Sequence, residues 1–583
     1  MIPPVGRSEK EPGNKDEWMV MLSAVVSLVV SLVLSLVLSV ASAQNFMSGG
    51  GGEIFSATSK LEDLLSLEGE VVRMVDRYLQ ATLSKVELMT RYVQDFQRLR
   101  RIEEVEGRQR PVRSGAVDHP VDAYLLVKRL TVEWASLEDA ITAHANYTQE
   151  LVHRVVAFRE RTSFPVMEDL HGAAVALVRL QDTYRLNMTS LSSGTLAPVT
   201  SVTALHRGEL QSSKPLNARD CLFLGKHAFN KGYYDKAIEW FEAALERSGS
   251  EEVLTAPKDE IEPFLEAAIK VHDDVLEKRG PRGTDWQTKT LPVDKTLASK
   301  PKYLDATPVF VPKLYQQQSD EEEEEHYNRL CRGERLRTPE MESRLSCRHV
   351  TAGTAYLTLM PLRLEEVSLD PYIVVFRDFL TEAQTEAIKS IAKPRLTASR
   401  HRGPGGNFIS SMVRTSSTAW LRESADDRKK LLLNTTKKIE FATGLHALES
   451  SAGEDYQVAN YGIGGLYVTH TDYLMINPDP RAYSPWEHFM GDRYATFMVY
   501  LSDVEAGGAT VFPRAGVTIW PKRGSAAFWW NLYRSGAGDE NTRHGACPVL
   551  HGSKWISNKW IHYNDQFKQY KCGVNTWDKQ TVP

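Results

Sequence analysis

Between Gly464 and His562 the chain is cut into short apolar, aromatic-rich runs divided by glycine turns. It reads GGLYVTHTDYL, then YATFMVYLSDVEAGGATVFP, then TRHGACPVLHGSKWISNKWIH. Turns fall at Gly462–Gly465, Gly507–Gly508 and Gly536–Gly538. Many short β-prone runs between glycines leave little room for helices and predict a double-sheet jelly roll of the cupin type. Upstream, PYIVVF predicts a strand within Asp370–Phe379, followed by helices at Thr381–Ala392 and Arg428–Thr443. The catalytic-type region is therefore placed at 340–583, in a multidomain α+β chain.

This region carries a pattern of metal-ligand residues. His470 and Asp472 are two apart, and His544, Lys554 and His562 follow. On a strand, residues i and i+2 share a face, so His470 and Asp472 can reach one metal if Tyr467–Tyr473 is extended. Two His and one carboxylate form a facial triad that suits non-haem Fe(II) and leaves positions for a bidentate co-substrate and O2. Lys554, in the strand-like KWISNKWIH, is the candidate cation for the far carboxylate of a diacid. The H-x-D spacing alone proves little. His272-Asp273-Asp274 repeats it in a stretch with helical pattern, where i and i+2 do not face each other, so that copy reads as a solvated face.

The runs YGIGGLYVTHTD, DRYATFMVYLSDVEAGGATVFP and KRGSAAFWWNLYRSGAGDENTRHGACPVLHGSKWISNKWIH closely resemble the catalytic region of collagen prolyl 4-hydroxylase alpha subunits. The resemblance implies that His470, Asp472 and His544 bind iron and that Lys554 binds 2-oxoglutarate. It implies that His562 assists co-substrate binding and decarboxylation. It further implies hydroxylation of peptidyl proline at C4 in X-Pro-Gly chains, coupled to conversion of 2-oxoglutarate and O2 to succinate and CO2, with ascorbate as the rescuing reductant. An α2β2 tetramer with protein disulfide isomerase as the beta subunit is the implied assembly. Thr471 stands where an aromatic residue is expected in vertebrate members, and Ile476–Asp492 receives no role.

Compartment is read from the other end. Trp18–Val40 is uncharged and apolar and ends in Ala41-Ser42-Ala43. Residues 1–43 read as a cleaved signal peptide, with an uncleaved anchor as the alternative. Either places the remainder in the endoplasmic reticulum lumen. Sequons at Asn146, Asn187 and Asn434 agree with that and are candidate glycosylation sites. The C-terminal QTVP is not a retention signal, so retention would fall to a partner. At 583 residues the chain needs several domains. Its net charge of −5, from 70 basic and 75 acidic residues, excludes an electrostatic nucleic-acid binder.

The intervening chain reads as mostly helical. Leu65, Val72, Val75, Leu79, Val86, Met89, Val93 and Phe96 form a heptad seam with defects. The seam belongs either to an intramolecular bundle or to a dimerising coiled coil. Further helices are predicted at His119–Ile141, about Asn146–Arg161 and Met167–Met188. Residues 53–195 resemble the family's N-terminal dimerisation domain, which points to self-association. ARDCLFLGKHAFNKGYYDKAIEWFEAALERSG fits one tetratricopeptide-like repeat within 215–280. Its position matches the family's peptide-substrate-binding domain, where aromatic grooves take polyproline II chains. Tyr233, Tyr234 and Trp240 are the candidates for that groove.

Residues 281–335 read as an irregular linker, and its acidic run Asp320–Glu325 as a solvated loop. Five cysteines in an oxidising lumen allow local bridges Cys331–Cys347 and Cys547–Cys572, places where the resembling family also has pairs, with Cys221 left over. Two other functions remain open: a same-fold dioxygenase acting on lysyl or non-collagen proline-rich substrates, and a non-catalytic scaffold that binds proline-rich peptides. Lys554 argues against the lysyl reading, since lysyl hydroxylases generally present Arg there.

Overall fold

The computed structural model describes residues 57–81, 89–97, 119–142, 156, 164–196, 210–279, 320–351, 354–399, 401–402, 408–409, 415–426, 430–448, 452–474, 484–567 and 569–580. The apolar N-terminal segment, Asn146, the helix expected at 146–161 and most of the 281–335 linker lie outside these residues. None of the described helices is long and apolar enough to cross a membrane. The chain divides into two compact units.

The smaller unit contains residues 67–97 and 129–164. Val72, Val75, Met89, Val93 and Phe96 of the heptad seam are all buried here within the single chain. Leu79 and Val86 of the seam lie outside the described side chains. A π-helical turn at Arg129–Glu133 precedes the helix Trp134–Thr142. Arg129, within that turn, lies fully buried and clasps Glu68 through Nε–Oε1 at 2.7 Å and Nη2–Oε2 at 3.1 Å. Such a pair is costly to desolvate and is retained only with both forks satisfied.

In the larger unit, helices Ala218–Asn230, Tyr234–Ser250 and Lys258–Arg279 follow one another. The first starts at a capping box, in which Asn217 accepts from Asp220 N at 2.8 Å and Asp220 accepts from Asn217 N at 3.1 Å. Gly225 lets the first two helices close together, since a Cβ there would stand 2.5 Å from the Phe241 ring. Ala237, Trp240, Phe241 and Ala244 are all buried. Their spacing of three and four residues is a core stripe. This corrects the groove assignment: Trp240 is 0% and Tyr233 3% exposed, so neither side chain presents a face to a groove. Tyr234 is half-buried and meets Phe229 edge-on at 5.4 Å. The His272-Asp273-Asp274 copy of H-x-D lies on Lys258–Arg279, with both carboxylates exposed.

The C-terminal part is built on a nine-stranded antiparallel sheet. Its strand order is Cys347–Val350, Leu362–Leu369, Tyr372–Arg377, Ala526–Trp530, Arg493–Tyr500, Lys554–His562, Tyr456–Tyr461, Ser417–Leu421, Thr397–Ala398. The expected helices form as Glu382–Ala392 and Leu431–Thr443. Ile388, Leu432 and Ile439 from these helices join Phe376, Ala495, Phe497, Val499 and Phe528 in one core. On the strand Arg493–Tyr500, beyond a register irregularity at its start, Ala495, Phe497 and Val499 enter that core. Thr496 and Tyr500 alternate onto the opposite face, where Tyr500 reaches the second sheet through a hydroxyl bond to Thr510. That second sheet has four strands in the order Tyr467–His470, His544–Ala546, Thr510–Phe512, Val517–Ile519.

Two further expectations need correction. The acidic run is no loop: Asp320–Cys331 is a helix, and Glu323 within it is 5% exposed. The helix lies against the small sheet, where Tyr327 donates to Ala546 O at 2.8 Å. The same packing brings Cys331 to Cys547, with Cα atoms 5.5 Å apart, and these two form the disulfide. The bridges Cys331–Cys347 and Cys547–Cys572 are therefore not made. Cys347 opens an edge strand and is exposed, and Cys572 is exposed beside the Tyr563 hydroxyl. Cys221 is a buried thiol, as expected.

Candidate active site

The site begins with one strand pair. Tyr467–His470 runs antiparallel to His544–Ala546, with His470 directly opposite His544 and a register irregularity between Tyr467 and His470. Cross-strand partners project to the same side. Asp472 follows just past the strand, 5% exposed. His470 Nε2 lies 3.7 Å from Asp472 Oδ1, and His544 Nε2 lies 3.7 Å from Asp472 Oδ2. One ligand atom from each of the three residues falls within 4.8 Å of the others. Among the described residues this is the one such cluster of three.

The surroundings suit a metal. His470 Nδ1 is 2.8 Å from Val468 O, and His544 Nδ1 is 3.0 Å from Thr542 O. A carbonyl can only accept, so each Nδ1 carries the proton and each Nε2 presents its lone pair. Burial pushes the His544 imidazole below its ordinary value, partly opposed by Asp472, which keeps the ring in the neutral ligating form. Burial would raise the Asp472 carboxyl. The imidazoles of His544 and His470, Arg493 and the Thr496 hydroxyl outweigh it and hold the carboxyl low. Thr496 donates to Asp472 Oδ2 at 2.7 Å and accepts from Asn531 Nδ2 at 2.9 Å. Phe512 and Trp529 wall the His544 ring, with centroids 5.3 and 4.8 Å away.

Lys554 stands on the large sheet, 1% exposed, and reaches the small sheet by donating to Thr510 Oγ1 at 3.2 Å. The Tyr500 hydroxyl donates to the same Thr510 oxygen at 2.9 Å. Burial pulls the ammonium down to about 7. Among the described residues Lys554 pairs with no carboxylate, which suits a cation kept for an incoming acid.

His562 is placed differently from expectation. It is fully buried, with Nδ1 2.7 Å from Gly491 O and Nε2 2.9 Å from Glu454 Oε1. Both ring nitrogens are taken by protein acceptors, so neither is presented to a co-substrate. Glu454 also takes a two-pronged contact from Arg493, which donates onward to Asp472 O at 3.3 Å. Burial opposes ionisation of Glu454, but Arg493 and His562 prevail and bring its carboxyl down to about 2.

Known proteins share this arrangement of sequence. The family described as prolyl 4-hydroxylase alpha-subunit, N-terminal region, matches residues 57–198, and the 2OG-Fe(II) oxygenase superfamily matches 456–562. Prolyl 4-hydroxylase subunit alpha-2 of Gallus gallus is 34% identical over 540 residues, covering 89% of this chain and 95% of that protein. The human subunit alpha-1 is 32% identical over 547 residues, covering 89% and 96%. The chain belongs to the prolyl 4-hydroxylase alpha-subunit family.

Subunit alpha-2 of Caenorhabditis elegans is likewise similar, 32% identical over 539 residues, covering 90% of this chain and 94% of its own. Among solved structures, a viral collagen prolyl hydroxylase from Paramecium bursaria Chlorella virus-1 is 25% identical with a TM-score of 0.25, covering 33% of this chain and 95% of its own. This prolyl 4-hydroxylase alpha-subunit homologue is a proline dioxygenase, and its oxygenase region implies Fe(II), 2-oxoglutarate and O2. All five candidate residues from His470 to His562 fall inside the matched oxygenase region. Reading the sequence missed Thr496, Asn531, Thr510 and Glu454. Thr496 had a signal: it is a small polar residue set inside the otherwise apolar and aromatic run YATFMVY.

Proposed function

We propose that the chain hydroxylates C4 of peptidyl proline in collagen-like X-Pro-Gly chains. The observation that carries this reading is His470, Asp472 and His544 converging on the small sheet with Lys554 buried opposite on the large one. The two packed sheets support a jelly-roll core for the catalytic domain at 340–583. The three successive helices at 218–279 support a tetratricopeptide-like module that receives the peptide. Of the three aromatic candidates, Tyr234 alone keeps an accessible face.

In this reading His470, Asp472 and His544 hold Fe(II), which when bound activates O2 against 2-oxoglutarate. Lys554 Nζ holds the far carboxylate of 2-oxoglutarate, and Thr510 adds a hydroxyl beside it. Phe512 and Trp529 exclude water around His544. His562 acts through Glu454 and Arg493 on Asp472 rather than by direct contact with the co-substrate. Ascorbate as reductant, a disulfide isomerase as beta subunit and the endoplasmic reticulum lumen complete the proposal on family membership. Self-association through the N-terminal helices would use a face other than the buried seam residues. Asn187 and Asn434 are exposed, as glycosylation requires.

The test is succinate release by the full chain, purified with a disulfide isomerase, given Fe(II), 2-oxoglutarate, ascorbate and (Pro-Pro-Gly)n peptides. Peptide-stimulated turnover with 4-hydroxyproline formed is the expected result. Turnover indifferent to the peptide sinks the substrate assignment.

A further inference from the structure

The helix Asp320–Cys331 lies outside the matched oxygenase region, yet one of its carboxylates reaches the neighbours of every metal-ligand candidate. Glu323 accepts from Arg543 Nε at 2.9 Å on Oε1 and 3.2 Å on Oε2. Arg543 immediately precedes His544, and its Nη2 donates to Thr469 O at 3.3 Å. Thr469 immediately precedes His470, so Arg543 ties the two ligand-bearing strands together. Arg514 donates to Glu323 Oε2 at 3.0 Å and, by its other arm, to Glu540 Oε2 at 2.7 Å. Glu540 accepts from the Tyr473 hydroxyl at 3.1 Å, and Tyr473 follows Asp472. Thr469, Tyr473 and Arg543 thus flank His470, Asp472 and His544 in turn, and Glu323 is linked to them through Arg543 on one side and through Arg514 and Glu540 on the other.

We propose that Glu323 is a positioning residue for the metal centre, holding the three ligand-bearing backbones in register from a helix outside the oxygenase region. The inference rests on the reading that His470, Asp472 and His544 hold the metal. Glu323 suits the task because it is 5% exposed, so solvent competes little for its two oxygens. Its two arginine partners are the strong, directional kind of contact. The neighbouring Glu325 is exposed and supplies a matched control.

Mn(II) binding to the full-length chain, followed by the EPR signal of the free ion with 2-oxoglutarate present, tests the proposal. Glu323→Gln is expected to weaken Mn(II) binding about tenfold, the usual cost of losing an outer-shell partner. Glu325→Gln should bind as wild type does. Steady-state rates should show a raised KM for Fe(II) in Glu323→Gln with kcat regained at saturating metal, a split that general destabilisation does not produce. Binding by Glu323→Gln within twofold of wild type overturns the proposal, as does an equal loss in Glu325→Gln. Should Glu323→Gln not fold, Arg543→Gln takes its place, since it removes the Glu323 contact beside His544, and unchanged Mn(II) binding there overturns the proposal too. If His544→Ala binds Mn(II) as wild type does, the ligand assignment itself fails and takes the inference with it.

Discussion

His470 and His544 face each other across an antiparallel strand pair, with ring centroids 4.4 Å apart. Their spacing is a property of backbone pairing, not of loop conformation. His544→Ala should therefore leave the sheet standing while removing one of three ligands. Loss of Mn(II) binding and of turnover, with an unchanged circular dichroism spectrum, is the expected outcome. Normal turnover in this variant would show that the ligand set is wrong.

Lys554 opposes stability and, in the proposed site, serves binding. Its pKa falls from 10.5 in the unfolded chain to about 7 in the ligand-free fold. Between those values the unfolded chain holds more protons, so this group makes stability rise with pH across that window. Lys554→Met should raise the melting point of the ligand-free protein below pH 7, by about 1–2 kcal/mol of stability. It should abolish 2-oxoglutarate binding. In wild type, the bound carboxylate demands the ammonium, so binding above pH 7 takes up a proton and weakens as pH rises. Calorimetry in buffers of different ionisation enthalpy measures that uptake.

Thr496 gives its one hydroxyl proton to Asp472 and takes an Asn531 N–H in return. Thr496→Val keeps the shape and removes both bonds. Metal affinity should fall about tenfold, with the Asn531 amide left unpaired. An unchanged Mn(II) dissociation constant would mean that the strand alone orients Asp472.

Glu454 ties pH to the fold. Its carboxyl moves from 4.5 down to about 2 in the folded chain. A lowered carboxyl stabilises fully above pH 4.5, and that contribution disappears as pH falls toward about 2. Glu454→Gln should flatten the acid limb of the stability curve, read as urea midpoints between pH 3 and 6. A limb as steep as wild type assigns acid sensitivity elsewhere.

In the helical module, Gly225→Ala should destabilise by about 1–3 kcal/mol, because the added Cβ meets the buried Phe241 ring. Denaturant unfolding measures it. Neutrality would show that the two helices can part without loss.

Local pattern made much of this legible. Short β-prone apolar runs announced the strand Tyr372–Arg377 and the strand Lys554–His562, and the helices expected at Thr381–Ala392 and Arg428–Thr443 form as Glu382–Ala392 and Leu431–Thr443. The H-x-D pair was visible as a motif, although the strand expected over Tyr467–Tyr473 ends at His470 and Asp472 reaches the cluster from the bend beyond it. What stayed hidden depends on chain remote in sequence. Glu323 looked like one of several solvated acids until packing brought Arg514 and Arg543 to it. Short separation suggested Cys331–Cys347, while the helix against the small sheet delivered Cys331 to Cys547. Aromatic character suggested a groove for Trp240, though its place on the Ala237–Phe241–Ala244 stripe already favoured the core.

The triad hangs on the four-stranded sheet and Lys554 stands on the nine-stranded one, with Thr510 bridging toward it. Packed sheets keep a separation of about 10 Å, which side chains adjust only slightly. The sandwich therefore acts as a caliper for diacids. On the proposed assignment a co-substrate spans from the three ligands on one jaw to an ammonium on the other. Oxaloacetate, one methylene shorter than 2-oxoglutarate, leaves a gap, and 2-oxoadipate, one longer, must buckle.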